Sequence, residues 1–354
     1  MVDSQTARVH LSNLIEVLTP IWERTLDRSP VAAEENFFDL GGDSSLALQL
    51  FTEIAKVCGK ELPPVMIYQA PTIRELAEAM EQPERFRFPA LTLLKEGREE
   101  PPIFMTPGIG GNIMDFFQVV KFIGTSRAIY GVQSKGVEGV EEPFVRIEDM
   151  AQYFLNAIRQ RQPRGPYTLV GYSLGGLVML EVAQRLLAAG ERVALLALIE
   201  TYPHRKYLSF GQNLELILRR AKRHARILIR LPVRRAVSYV LYPAERLAFF
   251  PRNDVSRKNG LPLDVWFTPA MLKMRDRAYE GLKNYRPRFY QGSIKFVRAG
   301  TATEFPEDPV AVWKGLAKEF ETVTVPGDHL EIMNTHFEAF GAALSRYLQQ
   351  SSPK

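Results

Sequence analysis

Gly171-Tyr172-Ser173-Leu174-Gly175-Gly176 stands between an apolar strand pattern, Tyr167–Val170, and a helical run from Leu174 to Ala189. So short a connection requires a sharp turn from strand into helix. The glycines permit the close backbone approach of such a turn, and the turn lifts the Ser173 hydroxyl off the strand end. Five residues of this kind alone are weak evidence; between a strand and a helix of an alternating chain they constrain the fold strongly. The chain does alternate. Pro102-Ile103-Phe104-Met105, Ala128–Val132, Val193–Ile199, Ser293–Arg298 and Thr322–Val325 read as further strands. Helices are expected at Met150–Gln160, Val310–Glu319 and Phe337–Leu348. Alternation of this kind implies a parallel sheet with helices on both faces.

The first ~80 residues have a different pattern. Leu11, Leu14, Ile15, Leu18, Ile21, Trp22 and Leu26 follow a helical period. A loop then ends in Phe37-Phe38-Asp39-Leu40-Gly41-Gly42, and Ser44 opens a second helix that stops near Gly59. Thr72 and Glu75 form a capping box for a helix running to about Met80. Residues 84–100, with Pro89, Gly97 and several charges, read as a linker between a domain at 1–83 and another at 101–354.

Ser44 sits where a helix N-terminus offers free N–H groups and a favourable dipole to a bonded phosphate. Asp43 or Ser44 acting as a cap would explain the local sequence equally simply. A cap alone does not need the Phe-Phe-Asp-Leu-Gly-Gly approach. FFDLGGDSSLALQL resembles the core motif of peptidyl carrier domains in nonribosomal peptide synthetases, and the resemblance extends over residues ~8–80, including PTIRELAEAM. Ser45 departs from it, standing where the family often has an apolar residue. The resemblance implies a small all-α four-helix domain whose Ser44 bears 4′-phosphopantetheine, with the thiol holding an acyl or peptidyl chain. Cys58, the single cysteine, has no nearby base in sequence and is expected to be a buried, inert thiol.

A serine nucleophile needs a base. Of the five histidines, His10 lies in the first domain, His204 and His224 fall before or within a basic segment, and His336 opens the closing helix. His329 follows the Thr322–Val325 strand through Pro326-Gly327-Asp328, and the order serine before histidine also suits an α/β-hydrolase. Two carboxylates compete to orient it: Glu200, after strand Val193–Ile199, and Asp308, after strand Ser293–Arg298. One oxyanion donor is expected at the Leu174 N–H, the other within Thr106–Gly111. Gly-x-Gly-Gly there is not a phosphate loop, since no Gly-Lys-Ser/Thr follows.

GYSLGG, LLALIETYP and GDHLEIM make residues ~100–350 similar to the type I thioesterase domain that ends many peptide and polyketide assembly lines. That resemblance implies an α/β-hydrolase domain, a serine thioesterase, with a helical lid insertion at about 204–274. It places the acid at Glu200, where the family usually has Asp, with Asp308 as the alternative, and it favours Gly108 as the second oxyanion donor. Together the two resemblances imply release of a carrier-bound chain by hydrolysis or cyclisation. Acyl transfer to an external amine or alcohol, or a carrier scaffold with a silent hydrolase domain, are the alternatives. The implied partners are upstream synthetase modules, a phosphopantetheinyl transferase and the acyl or peptidyl substrate. Ending after this domain suits a terminal module; beginning just before the carrier suits an excised fragment or a stand-alone protein.

Charge is unevenly placed. Residues 1–83 hold 6 Lys and Arg against 13 Asp and Glu, a net −7; residues 205–258 hold 14 against 3, a net +11. The formal net charge of +5 therefore comes from one segment and does not mark a nucleic-acid-binding protein. In that segment Arg219, Arg220, Lys222, Arg223, Arg226, Arg230, Arg234 and Arg235 interleave with apolar residues. A solvated helix face, a dock for the acidic domain, and contact with an anionic membrane or acidic substrate all fit. No apolar run approaches the ~20 residues of a membrane span, and no apolar leader precedes the first domain. With one cysteine and no metal-ligand cluster, no metal is expected and the cytoplasm is the expected compartment.

Overall fold

The computed structural model describes residues 4–60, 62–82, 89–111, 113–137, 141–230, 269–301, 305–306 and 308–351. Among the described residues three α-helices form the first domain: α1 (Ser4–Leu26), α2 (Ser44–Cys58) and α3 (Ile73–Glu81). A five-residue 3-10 turn, Pro64–Tyr68, stands between α2 and α3, so the expected four-helix domain has three α-helices among the described residues. Leu18, Ile21 and Trp22 of α1 meet Leu50, Phe51 and Ile54 of α2 and Leu76 and Met80 of α3 in one buried core. α2 ends on Gly59, whose φ of +65° only glycine adopts without strain. Thr72 and Glu75 make the reciprocal capping box of α3.

The second domain is built on a seven-stranded sheet: β1 (Leu91–Lys95), β2 (Glu99–Thr106), β3 (Arg127–Val132), β4 (Tyr167–Tyr172), β5 (Val193–Ile199), β6 (Tyr290–Ala299) and β7 (Ala317–Val325). Their order is β1-β3-β2-β4-β5-β6-β7, with every pair parallel except β1 and β3. The parallel strands alternate their burial between the two faces, as a period of two requires. Leu195, Ala197 and Ile199 join one core; Leu196 and Leu198 join the other. The second core is covered by α5 (Ile147–Arg161), α6 (Leu174–Ala188) and α8 (Pro269–Asn284). The first is covered by α11 (Phe337–Ser351) and continues into the helical domain. The remaining helices are α4 (Phe116–Val119), α7 (Phe210–Arg230), α9 (Pro309–Trp313) and α10 (Glu331–Asn334).

Three expectations need correction. The stretch read as a linker at 84–100 contains β1 and the start of β2; LTLLK pairs as an antiparallel edge strand on β3, so the second domain begins before residue 101. The helix expected at Val310–Glu319 ends at Trp313, because Ala317–Glu321 pairs with β6, opening with Tyr290 opposite Ala317. The insertion expected at about 204–274 ends inside α8, whose Met274, Ala278 and Leu282 form one buried stripe. Of that insertion, α7 carries Phe210, Leu214, Ile217 and Leu218 exposed on its surface, while residues 231–268, with Arg234 and Arg235, lie outside the described residues. Among the described residues no helix is long and apolar enough to cross a membrane.

Candidate functional site

In a parallel sheet the loops after neighbouring strands emerge on one edge, and four of them build the site. The β2 loop, Ser173, Glu200 and the His329 loop all leave C-terminal strand ends. Register places them side by side: Thr106 is opposite Gly171, Tyr172 opposite Ile199, Ile199 opposite Val297 and Ala299 opposite Val325.

Ser173 has φ +54° and ψ −123°, a left-handed conformation that a non-glycine residue holds only when its surroundings impose it. Its N–H donates to Ile199 O at 2.8 Å. The flanking glycines permit this turn. A Cβ on Gly171 would lie 2.5 Å from Gly176 Cα; one on Gly175 would collide with Pro107 O, and one on Gly176 with the Thr201 side chain. The strained turn is thus wedged between the β2 loop and the end of β5.

Glu200 is 2% exposed and also has positive φ, +45°. Its Oε1 accepts from the Ala299 N–H at 2.8 Å, and its Oε2 lies 3.5 Å from His329 Nδ1. β6 separates β5 from β7, so the carboxylate spans the end of β6, anchored there by one backbone bond. The extra methylene of glutamate over aspartate lengthens that reach. Neither Oε2 nor Nδ1 has another hydrogen-bond partner in the described structure. The His329 ring stacks on Tyr172 at 5.0 Å, with the Tyr172 hydroxyl donating to His329 O at 2.6 Å, and the Phe305 ring stands 4.8 Å away. Tyr172, the residue before Ser173, therefore couples the His329 loop to the elbow. Tyr172, Phe305 and the Ala299 N–H have no sequence signal that would have singled them out, since each role depends on strand register.

Asp308 stands elsewhere: it is exposed, and it caps α9 by accepting from the N–H groups of Val310 (2.9 Å) and Ala311 (3.2 Å). The other described histidines also lie apart from Glu200. His10 is exposed on α1, and His336 packs against Gly327. His204 Nδ1 accepts from Lys206 N, and burial with nearby Arg205 and Lys206 holds its pKa below the usual imidazole range.

The expected oxyanion donors adjoin the elbow. Leu174 opens α6, and a Cβ on Gly108 would lie 3.3 Å from Ser173 Cβ, so the β2 loop borders Ser173. A small pocket beside them, about 20 Å³ of free space, is lined by Gly108, Leu174, Phe144, Met150, Phe154 and Met274.

In the helical domain Asp43, not Ser44, caps α2: it is extended (φ −130°, ψ 179°) and its Oδ1 accepts from the Leu46 N–H at 2.9 Å. Ser44 is the first residue of α2. The approach to it is fixed by packing. Gly42 N donates to Phe37 O at 2.9 Å, and a Cβ on Gly42 would collide with the buried Phe37 ring, itself edge-on to Trp22 at 5.3 Å. Cys58 is half-buried rather than fully buried; burial pushes its thiol pKa up, so it is a poor nucleophile.

Two family models match the chain: a phosphopantetheine attachment site over residues 16–80 and a thioesterase domain over residues 101–217. The chain is a carrier–thioesterase didomain of the nonribosomal peptide synthetase type. A dimodular nonribosomal peptide synthase of Bacillus subtilis is 31% identical over 301 residues, 83% of the didomain and 12% of the relative. An indigoidine synthase of Dickeya dadantii is 36% identical over 179 residues, 51% of the didomain and 12% of the relative. The didomain thus spans about an eighth of the length of these relatives. A four-domain nonribosomal peptide synthetase crystallised in holo form with AMP and glycine covers 96% of the didomain with 26% of its own chain, at TM-score 0.57 and 24% identity. A type II thioesterase from the borrelidin biosynthetic cluster covers 73% of the didomain and 96% of its own chain, at TM-score 0.50 and 18% identity. The fold is a carrier domain followed by an α/β-hydrolase domain, and the phosphopantetheine attachment-site match supports 4′-phosphopantetheine as its covalent cofactor.

Proposed function

We propose that the didomain releases an acyl or peptidyl chain, held as a thioester on its carrier domain, through an ester on Ser173. The observation that carries this reading is the pair of buried Glu200 and half-buried His329, Oε2 to Nδ1 at 3.5 Å, stacked through Tyr172 onto the strained Ser173 turn. The carrier comprises residues 1–83, its fourth helix being the 3-10 turn, and Ser44 is its attachment residue. When bound there, 4′-phosphopantetheine supplies the thiol that holds the acyl chain. Ser44 at the start of α2 would hold the phosphate against the helix N-terminus.

Glu200 fixes the imidazole with Nδ1 toward the carboxylate, which leaves Nε2 for the serine. His329 Nε2 takes the Ser173 proton as Oγ attacks the thioester carbonyl. The N–H groups of Leu174 and Gly108 stabilise the tetrahedral oxyanion, an interaction worth roughly 3–4 kcal/mol per donor in sites of this kind. As the carbon–sulfur bond breaks, His329 gives its proton to the departing sulfur. His329 then deprotonates water, or a nucleophile within the substrate, and Ser173 leaves as the free hydroxyl. The lid reading for 204–274 rests on the sequence resemblance, since residues 231–268 lie outside the described residues, and upstream synthetase modules and a phosphopantetheinyl transferase are the carrier's partners. A fluorophosphonate tests the reading: peptide mapping should find the adduct on Ser173, and Ser173→Ala and His329→Ala should lose it. An adduct elsewhere, or none, contradicts it.

A further inference from the structure

The helical domain reaches the α/β domain through three stacked rings. Phe38 stacks on Tyr68 at 4.7 Å between centroids and 26° between planes; Tyr68 stacks on Phe117 at 3.6 Å and 10°. Each ring has a separate origin. Phe38 belongs to the loop that leads to Ser44, next to Phe37, whose ring it meets edge-on at 5.5 Å. Tyr68 closes the 3-10 turn between α2 and α3. Phe117 lies on α4, a few residues beyond the β2 loop that carries Gly108. A line of packed side chains therefore runs from the Ser44 loop to the segment following the oxyanion loop. A cleft of about 440 Å³ lies alongside, with Asp39 on the carrier wall and Lys95 and Lys121 on the other. Those signs complement a carrier of net −7. Rings packed at the centre of a partly open, polar-edged contact suit a reversible interface. Such an interface suffices within one chain, because a short tether holds the partners at an effective concentration of about millimolar.

We propose that Phe38, Tyr68 and Phe117 form the docking surface through which the carrier domain delivers its acyl chain to its own thioesterase domain. This rests on the thioesterase reading above. Phe117 is a positioning residue: it touches neither Ser173 nor His329 in the described contacts, and it acts by holding the carrier. The sequence offers the basic segment 205–258, net +11, as a rival dock, and its residues 231–258 lie outside the described residues.

The test uses the full chain and two substrates. One is the acyl group loaded on the holo carrier; the other is the same acyl group on N-acetylcysteamine, a free thioester that needs no docking. Phe117→Ala should leave free-thioester hydrolysis within about twofold and slow release from the carrier about tenfold, the usual scale for an aromatic anchor. Tyr68→Ala, from the carrier side, should do the same, and the double variant should be no slower than the slower single. Phe117→Tyr should restore release. In the apo chain, Phe117→Ala should speed amide hydrogen exchange at residues 64–70. The proposal is overturned by unchanged or faster release from the carrier, or by equal loss on both substrates, which would make Phe117 part of the site's support. If the wild type cleaves neither substrate, the thioesterase reading fails, and unchanged exchange at 64–70 would still overturn the docking contact.

Discussion

Glu200→Gln removes the negative charge facing His329 and almost nothing else. The amide has the shape of the carboxylate and keeps an oxygen for the Ala299 N–H, now bonded at 2.8 Å. In the proposed mechanism, the imidazolium formed during acylation is what loses its partner. For unit charges 3.5 Å apart at an effective dielectric constant of about 20, Coulomb's law gives roughly 5 kcal/mol. A tenfold change in rate corresponds to about 1.4 kcal/mol, so the full term is worth roughly three-thousandfold. Relaxation around a neutral amide recovers part of it, and the expected loss in kcat/KM for an acyl N-acetylcysteamine thioester is about a hundredfold to a thousandfold. Asp308→Asn is the control. Asp308 holds only the Val310 and Ala311 N–H groups, so the rate should stay within about twofold and stability should fall by at most about 1 kcal/mol. Glu200→Gln above a third of the wild-type rate, with the fold intact by circular dichroism, refutes the reasoning. So does an Asp308→Asn variant as slow as Glu200→Gln.

Gly176→Ala should destabilise the protein by about 1–3 kcal/mol in urea unfolding, because its Cβ collides with the fully buried Thr201 side chain; wild-type stability would mean that the elbow has room to spare. Alkylation of Cys58 by iodoacetamide at pH 7 should be slower than that of free cysteine and should gain rate up to a higher pH, since burial raises the thiol pKa and thins the thiolate; equal rates at pH 7 would contradict this.

The features legible in the sequence are those fixed locally. The Ser173 elbow needs only its own glycines between a strand and a helix. The Thr72–Glu75 capping box and the Gly59 stop are equally local, and the structure has all three. His329 follows from chain order and a loop at a strand end. Glu200 against Asp308 was open because both follow strands and both are carboxylates. Only register, with Ile199 opposite Val297 and Ala299 opposite Val325, brings Glu200 within reach of His329 across β6. β1 was hidden for a related reason. LTLLK sits among charges and prolines, and its partner β3 is more than thirty residues away, so nothing local distinguishes it from a linker. Ala317–Glu321 has helix-compatible residues and is held extended by β6 alone. The stacking of Tyr68 on Phe117 joins two domains, and no single-segment pattern encodes it.

The central claim is that an acyl group carried at Ser44 passes to Ser173 and leaves the chain. Intact mass spectrometry of the acyl-loaded holo protein over time, for wild type and Ser173→Ala, tests it most directly. The account predicts that wild type loses the acyl mass while Ser173→Ala holds it, with Ser44→Ala never gaining the phosphopantetheine mass. Equal retention in wild type and Ser173→Ala, or equal loss, contradicts it.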